Sequence, residues 1–511
     1  MRVSSESLMY KHRGEVMASM QKTGLKISDQ SLEVIAGLDR SGSSSYLTYC
    51  TSGGGCEDVQ TYILYQDIIW CQPLGVNDDS RSNVLEITYV NTKGNTIKPV
   101  TLHIQIIDYD PMATVESLSH DILQLSYRKS MVKPRILLLV NPISGQGQAK
   151  KIYQKEILPI LQAARAPVTY IETKFAENAV EIGRSLHIDE FDVIACCSGD
   201  GIPHEIINGL YQREDRLEAF KKLAITQLPC GSGNSLSLST HGTTDASTAT
   251  FRMLKANRVK MDIMAVTQNS LSNEQITKLS FLSQSYGVIA DADIGTEHLR
   301  WLGPLRFDLG VAHKIFARTV YSCDLYVNFV TNSKSEISTF FDNHDSNVAD
   351  DDGDGLNNTA VTEDLFKLKG GPLTQNPPSN WKLLDENISK NINVLYVGKM
   401  PYISKDVQFF PAAIPNDGAM DMVICTTDMS VLEAVRMFNK VEHGKHVFDD
   451  KVLHTKIKGY RLVPRVKNPS KHYISVDGES FPFEPLQVEI IPSLLTILTQ
   501  DGNYVLTSFR K

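Results

Sequence analysis

An aspartate between two glycines, Ser198-Gly199-Asp200-Gly201, follows the apolar run DVIACC and precedes the helical run HEIINGL. The carboxyl end of a parallel strand is where open α/β sheets bind their ligands. A carboxylate placed there could take a proton from an attacking alcohol or help to place a metal. An Asx-turn or helix-cap role suits the same residue equally well. His204 and Glu205, next on the helix, suit capping or packing better than catalysis.

Two more glycine turns stand at similar junctions. Asn141 to Gly147 (NPISGQG) follows RILLLV, and Leu228 to Ser235 (LPCGSGNS) follows LAITQL. Glycine lets backbone approach an anion closely, and a helix N-terminus supplies unpaired N–H groups. The first turn matches neither GxGxxG, since Lys150 takes the third glycine position, nor GxxxxGK[ST]. One such turn is commonplace. Three on one rim make a nucleotide-phosphate site the better explanation.

Further along, Asp291 and Asp293 are two residues apart, which in an extended chain puts both on one face. Arg300 and Arg306 offer planar forks suited to phosphate oxygens, or equally a surface Asp/Arg network. Asp417-Gly418 with Asp421, and Asp477-Gly478-Glu479, read as hairpin turns. Asp421 and Glu479 could reach the nucleotide edge if the later β-rich part folds back over the earlier strands.

These residues need elements to hold them. From Lys133, strand-like and helix-like runs alternate, the pattern of a parallel α/β sheet. Beyond about residue 280 the rhythm becomes mainly antiparallel β, interrupted over about 333–382 by polar sequence that predicts an exposed, disordered insertion. Its DDDGDG string does not meet the EF-hand frame. Residues 1–57 are Ser/Gly-rich and polar, and 59–110 carry short β runs suited to a small antiparallel module, with a pleckstrin-homology-like barrel among the options. The fold class is thus α/β: an N-terminal β-rich extension (1–130), an α/β parallel-sheet nucleotide domain (131–275) and a mainly antiparallel β-sandwich domain (276–511).

The bulk properties agree. The 511 residues are 42% hydrophobic and 22% charged, with net charge −8, which argues against a dedicated nucleic-acid binder. No apolar stretch reaches the roughly 18 residues of a membrane span, and the N-terminus lacks a secretory h-region. Eight cysteines without a CxxC…CxxC framework predict reduced cytosolic thiols. Cys50 and Cys56 could carry acyl chains or be plain thiols. Seven cations between Lys451 and Lys471, with no acid among them, suit either anionic lipid or a solvated strand face.

Taken together, NPxSGxGxA, SGDGxxHExxNGL, LPxGSGN, YGxIADxDIxTExxRWxGxxRF and the late DGE resemble the sphingosine/diacylglycerol kinase superfamily, most of all the fungal sphingoid long-chain-base kinases. The resemblance spans roughly 131–330 and 390–500. It implies phosphoryl transfer from ATP, with Mg²⁺, to the primary hydroxyl of a sphingoid base. Asp200 is then the general base. Asn141, Ser144, Gly145, Ser198, Gly199, Gly231 and Gly233, with Thr173 nearby, are nucleotide and phosphate-loop positions. Arg300 and Arg306 form the phosphate clamp, Asp293 meets the 2-ammonium group, and Gly478 and Glu479 make a late nucleotide contact.

The family often has histidine where this chain has Asn178, which loosens the assignment around Thr173. The resemblance implies a cytoplasmic enzyme associated peripherally with the endoplasmic reticulum, Golgi or plasma membrane, and no nucleic-acid partner. It sets no oligomeric state. The rival readings are a diacylglycerol or ceramide kinase, an NAD kinase and a non-catalytic lipid-binding scaffold. Asp293 speaks for the free base, and the intact Asp200 turn for an active enzyme.

Overall fold

The computed structural model describes residues 16–18, 23–27, 31–36, 48–50, 56–58, 62–74, 84–93, 96–105, 115–269, 274–295, 319–331, 333–348, 362–500 and 502–509. The chain divides into two units, Met1–Pro134 with Gln154–Pro167, and Arg135–Tyr153 with Val168–Lys511.

In the first unit, strands Val16–Ala18, Thr23–Ile27, Ser31–Ala36 and Tyr62–Leu64 pair antiparallel in that order. Strands Ile68–Leu74, Val84–Lys93 and Thr96–Gln105 form a three-stranded meander. Val115, Leu118 and Ile122 share one face of helix Val115–Tyr127 and bury with Ile68, Cys71, Leu85 and Ile87. The Tyr127 hydroxyl donates to the Ile69 carbonyl at 2.7 Å and ties that helix to the meander. The Cys50 and Cys56 side chains lie outside the described residues.

The second unit opens with β1 (Ile136–Val140), β2 (Val168–Glu172), α1 (Asn178–Ser185), β3 (Val193–Ser198), α2 (Gly201–Tyr211), β4 (Ala224–Pro229) and α3 (Ser235–His241). β1, β3 and β4 are buried at every residue, which is why they read as unbroken apolar runs rather than alternating ones. They pair parallel in the order β2-β1-β3-β4.

The chain continues through β5 (Asn257–Asn269), β6 (Gln275–Ser280), β7 (Ser283–Gly287), α4 (Val288–Asp293), β8 (Cys323–Phe329) and α5 (Lys334–Val348). It ends with β9 (Ile392–Gly398), β10 (Met420–Thr426), α6 (Val431–Val441), β11 (Val452–Pro464), β12 (Ile474–Val476), β13 (Glu479–Phe481) and β14 (Leu486–Thr499). The α/β class and the antiparallel later half are both as expected. The expected division between them is not a break in the sheet. β14 pairs parallel with β4 and antiparallel with β5 and β11, so one fifteen-stranded sheet has the main path β2-β1-β3-β4-β14-β11-β10-β9-β7-β12-β13, with β5, β6, β8 and the short strand Lys382–Leu383 branching from it.

Three sequence expectations change here. The span 333–382 is not an open linker where it is described. Ile337 and Phe341, four apart on α5, bury against Ala412 and Ile414. The backbone at Lys369 and Gly370 donates to Glu489, and Arg461 donates to the carbonyls of Gly370, Pro372 and Gln375. Buried polar groups on β11 and β14 hold this segment, so its own composition could not reveal it. The DDDGDG string lies outside the described residues.

The second change concerns the cations. Lys456 and Arg461 point inward, Lys451 pairs with Glu433 and Arg465 with Asp324, while Lys458, Lys467 and Lys471 are exposed. Lys456 belongs to a buried ionic cluster. Its Nζ lies 2.8 Å from both Asp417 and Asp421, while Lys399 pairs with Asp417 and with Asp262 at 2.8 Å. His454 meets Asp421 at 2.7 Å. Burial alone would raise the Asp417 carboxyl, but the two lysines pull it below its ordinary value. The third change follows: Asp421 is locked in this cluster and does not reach the nucleotide edge.

Candidate active site

The turn after β1 begins with an Asx bend, where Asn141 Oδ1 accepts from the Ile143 N–H at 3.2 Å. The Ser144 N–H then donates to the Asn141 carbonyl. Gly145, Gln146 and Gly147 follow at φ 58°, 58° and 80°, a left-handed run in which the Gly147 N–H donates to the Ile143 carbonyl at 3.2 Å. A Cβ on Gly145 would lie 2.4 Å from the Cys230 carbonyl oxygen, so this turn presses on the one after β4. Thr173, buried at the end of β2, donates its N–H to the Val140 carbonyl alongside.

The turns after β3 and β4 meet just as closely. A Cβ on Gly231 would stand 2.3 Å from Gly199 Cα, and one on Gly233 would stand 3.0 Å from Asp200 Oδ2. Asn234 clasps its own turn, accepting from the Gly231 N–H and donating to the Gly231 carbonyl. Ser198 is buried, its hydroxyl donating to the Gly199 carbonyl at 2.7 Å. Gly231→Ala therefore forces backbone apart at the centre of the rim. Turnover is expected to fall about 100-fold or more, because small displacements of reacting groups have effects of that size. Steady-state kinetics beside a thermal melt will check it.

Asp200 precedes α2 but makes no cap bond to that helix. It serves its neighbour α3 instead. Oδ2 accepts from the Ser235 N–H at 3.0 Å and the Ser235 hydroxyl at 2.9 Å, and Oδ1 from the Leu236 N–H at 3.3 Å and Gln227 Nε2 at 3.2 Å. Gln227 is oriented in turn by the Ser237 N–H on its Oε1. Burial pushes the Asp200 carboxyl above the usual carboxylate range, and the donors oppose this only in part. The sequence marks Ser235 only as the end of the third turn, with no role, and gives Gln227 none. The available signal was a glutamine inside the otherwise apolar run LAITQL.

The late DGE turn does fold back. Asp477, buried at φ 52°, accepts from Ser280, Phe281, Leu282 and Ser283 and meets His204 Nδ1 of α2 at 2.9 Å. That anchor, with Gly478 at φ 84°, leaves Glu479 Oε1 3.7 Å from a Cβ built on Gly201. Glu205 accepts from the Ala179 N–H, a capping task, and burial and then Glu479 raise its carboxyl. Asn178 closes its own turn by accepting from the Lys174 N–H.

Asp291 and Asp293 do not share an extended face. Gly287, at φ 102° with no room for a Cβ beside the Asn393 carbonyl, ends β7 and lets α4 begin. Two residues on a helix point roughly 200° apart. Asp291 is buried, taking Tyr321 Oη at 2.7 Å, His472 Nδ1 at 2.9 Å and the Tyr473 N–H at 3.1 Å. Asp293 stays half-buried and accepts from Ser475 Oγ at 3.1 Å. Arg300 and Arg306 lie outside the described residues.

Asp293 and Asp200 converge on one residue. Burial raises the Tyr396 hydroxyl, a bond from Ser283 opposes this, and Asp293, Asp477 and Asp200 add to it. The Tyr396 ring lies 4.7 Å from Phe409, which lines a small apolar cavity of about 50 Å³ with Val288, Ile289, Val394, Met437 and Phe438. α4 thus carries the cavity's wall and Asp293 together.

Comparison with known proteins now places the chain. Residues 135–266 match the diacylglycerol kinase catalytic domain, and 383–499 the YegS C-terminal NAD kinase beta sandwich-like domain. The solved structure of a diacylglycerol kinase from Bacillus anthracis aligns with 72% of this chain and 97% of its own, at 15% identity and a TM-score of 0.44. Sphingoid long chain base kinase 5 of Saccharomyces cerevisiae is 38% identical over 478 residues, 84% of this chain and 69% of the relative. Sphingoid long chain base kinase 4 of Schizosaccharomyces pombe is 27% identical over 89% of this chain and 92% of its own. Human sphingosine kinase 1 is 26% identical over 70% and 89%. Residues 135–266 thus form a catalytic domain of the diacylglycerol kinase type. The chain belongs to the sphingoid long-chain-base kinase family.

Proposed function

We propose that this long-chain-base kinase uses Asp200 to take the proton from the primary hydroxyl of a sphingoid base as that oxygen attacks the γ-phosphorus of ATP. The new oxygen–phosphorus bond forms, the bond to the β–γ bridging oxygen breaks, and ADP leaves with the electron pair. The three glycine turns hold the phosphates by backbone N–H groups, since little beyond positioning and charge neutralisation is required. The observation that carries this reading is the Asp200 carboxylate on the rim where those turns touch.

Among the described residues no group of three His, Cys, Asp or Glu side chains could cage a metal. Mg²⁺ fits nonetheless, since it commonly takes one or two carboxylates plus substrate phosphates. Glu479, whose Oε1 lies 3.7 Å from a Cβ built on Gly201, is the carboxylate that would hold it. When bound, it supplies neutralising charge to the phosphate oxygens.

Asp293 pairs with the 2-ammonium group, and the cavity beside α4 takes the alkyl chain. Among the described residues no helix is long and apolar enough to cross a membrane. The enzyme therefore meets its lipid peripherally in this reading, with the cavity wall α6 exposing Leu432 (71%) and Val435 (46%). Phosphate transfer from ATP and Mg²⁺ to sphingosine, diacylglycerol and ceramide tests the substrate. Transfer to sphingosine alone is expected, with Asp293→Asn raising KM for it about 10-fold, the scale of one charge-assisted contact. Preference for diacylglycerol or ceramide would overturn the ammonium assignment.

A further inference from the structure

Glu479 is exposed beside Gly201, and among the described residues no hydrogen-bond donor reaches its carboxylate. Its place is therefore set by the turn that carries it. That turn hangs on Asp477, whose buried side chain accepts five hydrogen bonds. Four come from the corner where β6 passes into β7. They are the Ser280 hydroxyl at 2.6 Å and the N–H groups of Phe281, Leu282 and Ser283 at 3.0, 3.0 and 2.9 Å. The fifth comes from α2, where His204 Nδ1 lies 2.9 Å from Asp477 Oδ2. A carboxylate oxygen accepts, so Nδ1 carries the hydrogen.

We infer that His204 is a positioning residue for the phosphate site, tying the Asp477-Gly478-Glu479 turn to α2 and so fixing Glu479 beside Gly201. This rests on the reading of Glu479 as the carboxylate on the Mg²⁺ and nucleotide side. His204 is buried, and its own N–H donates to the Asp200 carbonyl at 3.2 Å. One residue thus joins the helical turn that starts at Asp200 to the hairpin turn that carries Glu479.

The rest of the packing does not depend on this bond. Asn208, four residues along the same helix face, donates to the Leu279 carbonyl and accepts from the Leu279 N–H, which pins α2 to β6. Without the imidazole, the four bonds from the β6–β7 corner still close the Asp477 turn. What goes is the turn's register against α2. Substitutions can separate donor from bulk. Leucine fills much of the imidazole volume without a donor, whereas asparagine is smaller but brings its amide nitrogen to the place of Nδ1. A packing role ranks leucine above asparagine; the positioning role ranks asparagine above leucine.

The test is binding of a fluorescent ATP analogue to the full chain, titrated with and without Mg²⁺, beside steady-state kinetics on sphingosine. His204→Leu is expected to weaken the Mg²⁺-dependent binding about 10-fold, the scale of one hydrogen bond to a charged group. KM for ATP should rise by a similar factor while KM for sphingosine stays within about 2-fold. His204→Asn should recover most of the loss. In a Glu479→Gln background the leucine change should add nothing, because it acts through that carboxylate. Wild-type binding in His204→Leu overturns the inference. So does asparagine no better than leucine, or an undiminished leucine effect in the Glu479→Gln background, each of which marks His204 as scaffold. If the leucine variant melts below the assay temperature, His204→Gln, whose amide nitrogen falls at the far ring position, replaces it with the same expectations. Glu479→Gln alone judges the parent reading: wild-type Mg²⁺-dependent binding there ends the role of Glu479 and the inference with it. A loss in Glu479→Gln with none in His204→Leu keeps Glu479 and discards His204 alone.

Discussion

Asp200→Asn lowers kcat by about 10²- to 10⁴-fold, the range that general-base catalysis contributes, while KM for ATP stays close to wild type. The loss should come without a fall in melting temperature. Burial raises the Asp200 carboxyl, so the folded state holds that proton more tightly than the unfolded one. Between the unfolded and folded values the native state binds more protons, and stability falls as pH rises through that window. An uncharged amide removes this penalty and offsets the donors it mispairs. For the wild type, activity needs the ionised form, so the rate is full above the raised value and drops as pH falls through it. That acid limb should lie above the roughly 3.9 of a free aspartate. A variant that keeps its kcat would end the assignment.

Lys456→Met should be the most destabilising single change away from the rim. It leaves Asp417 and Asp421 buried with one cation fewer, and breaking a buried pair in this way costs about 3–5 kcal/mol. Urea denaturation should show the second unit unfolding at a much lower midpoint. Adding Asp417→Asn should restore part of the loss, because it removes one of the stranded charges. Full stability in the single variant would mean that Lys456 does not neutralise the cluster.

Local runs of sequence told most about the parallel strands. RILLLV and DVIACC are unbroken because both faces are covered, and each ends in a glycine turn whose packing leaves no room for a Cβ. What stayed hidden depends on distant partners. Gln227 and Ser235 matter only because Asp200 turns toward α3 rather than toward its own helix. The alternation of Asp291 and Asp293 suggested a strand, but a glycine at φ 102° starts a helix and sends the two carboxylates to different neighbours. Lys456 and Arg461 read as surface charge because nothing nearby in sequence announces Asp417 or the Gly370 carbonyl.

The pairing of β4 with β14 also sets an order of events during synthesis. Ala224 and Ile225 find their partners, Thr496 and Ile497, only after the intervening chain has been made, on the order of tens of seconds at about 5–20 residues per second. Until then the most apolar edge of the nascent sheet is open, an invitation to pair with the wrong strand. β14 closes it and at the same moment pairs with β5 and β11. A ribosome that stalls before Leu486 would therefore release a chain with every catalytic turn already written and no closed sheet to hold them.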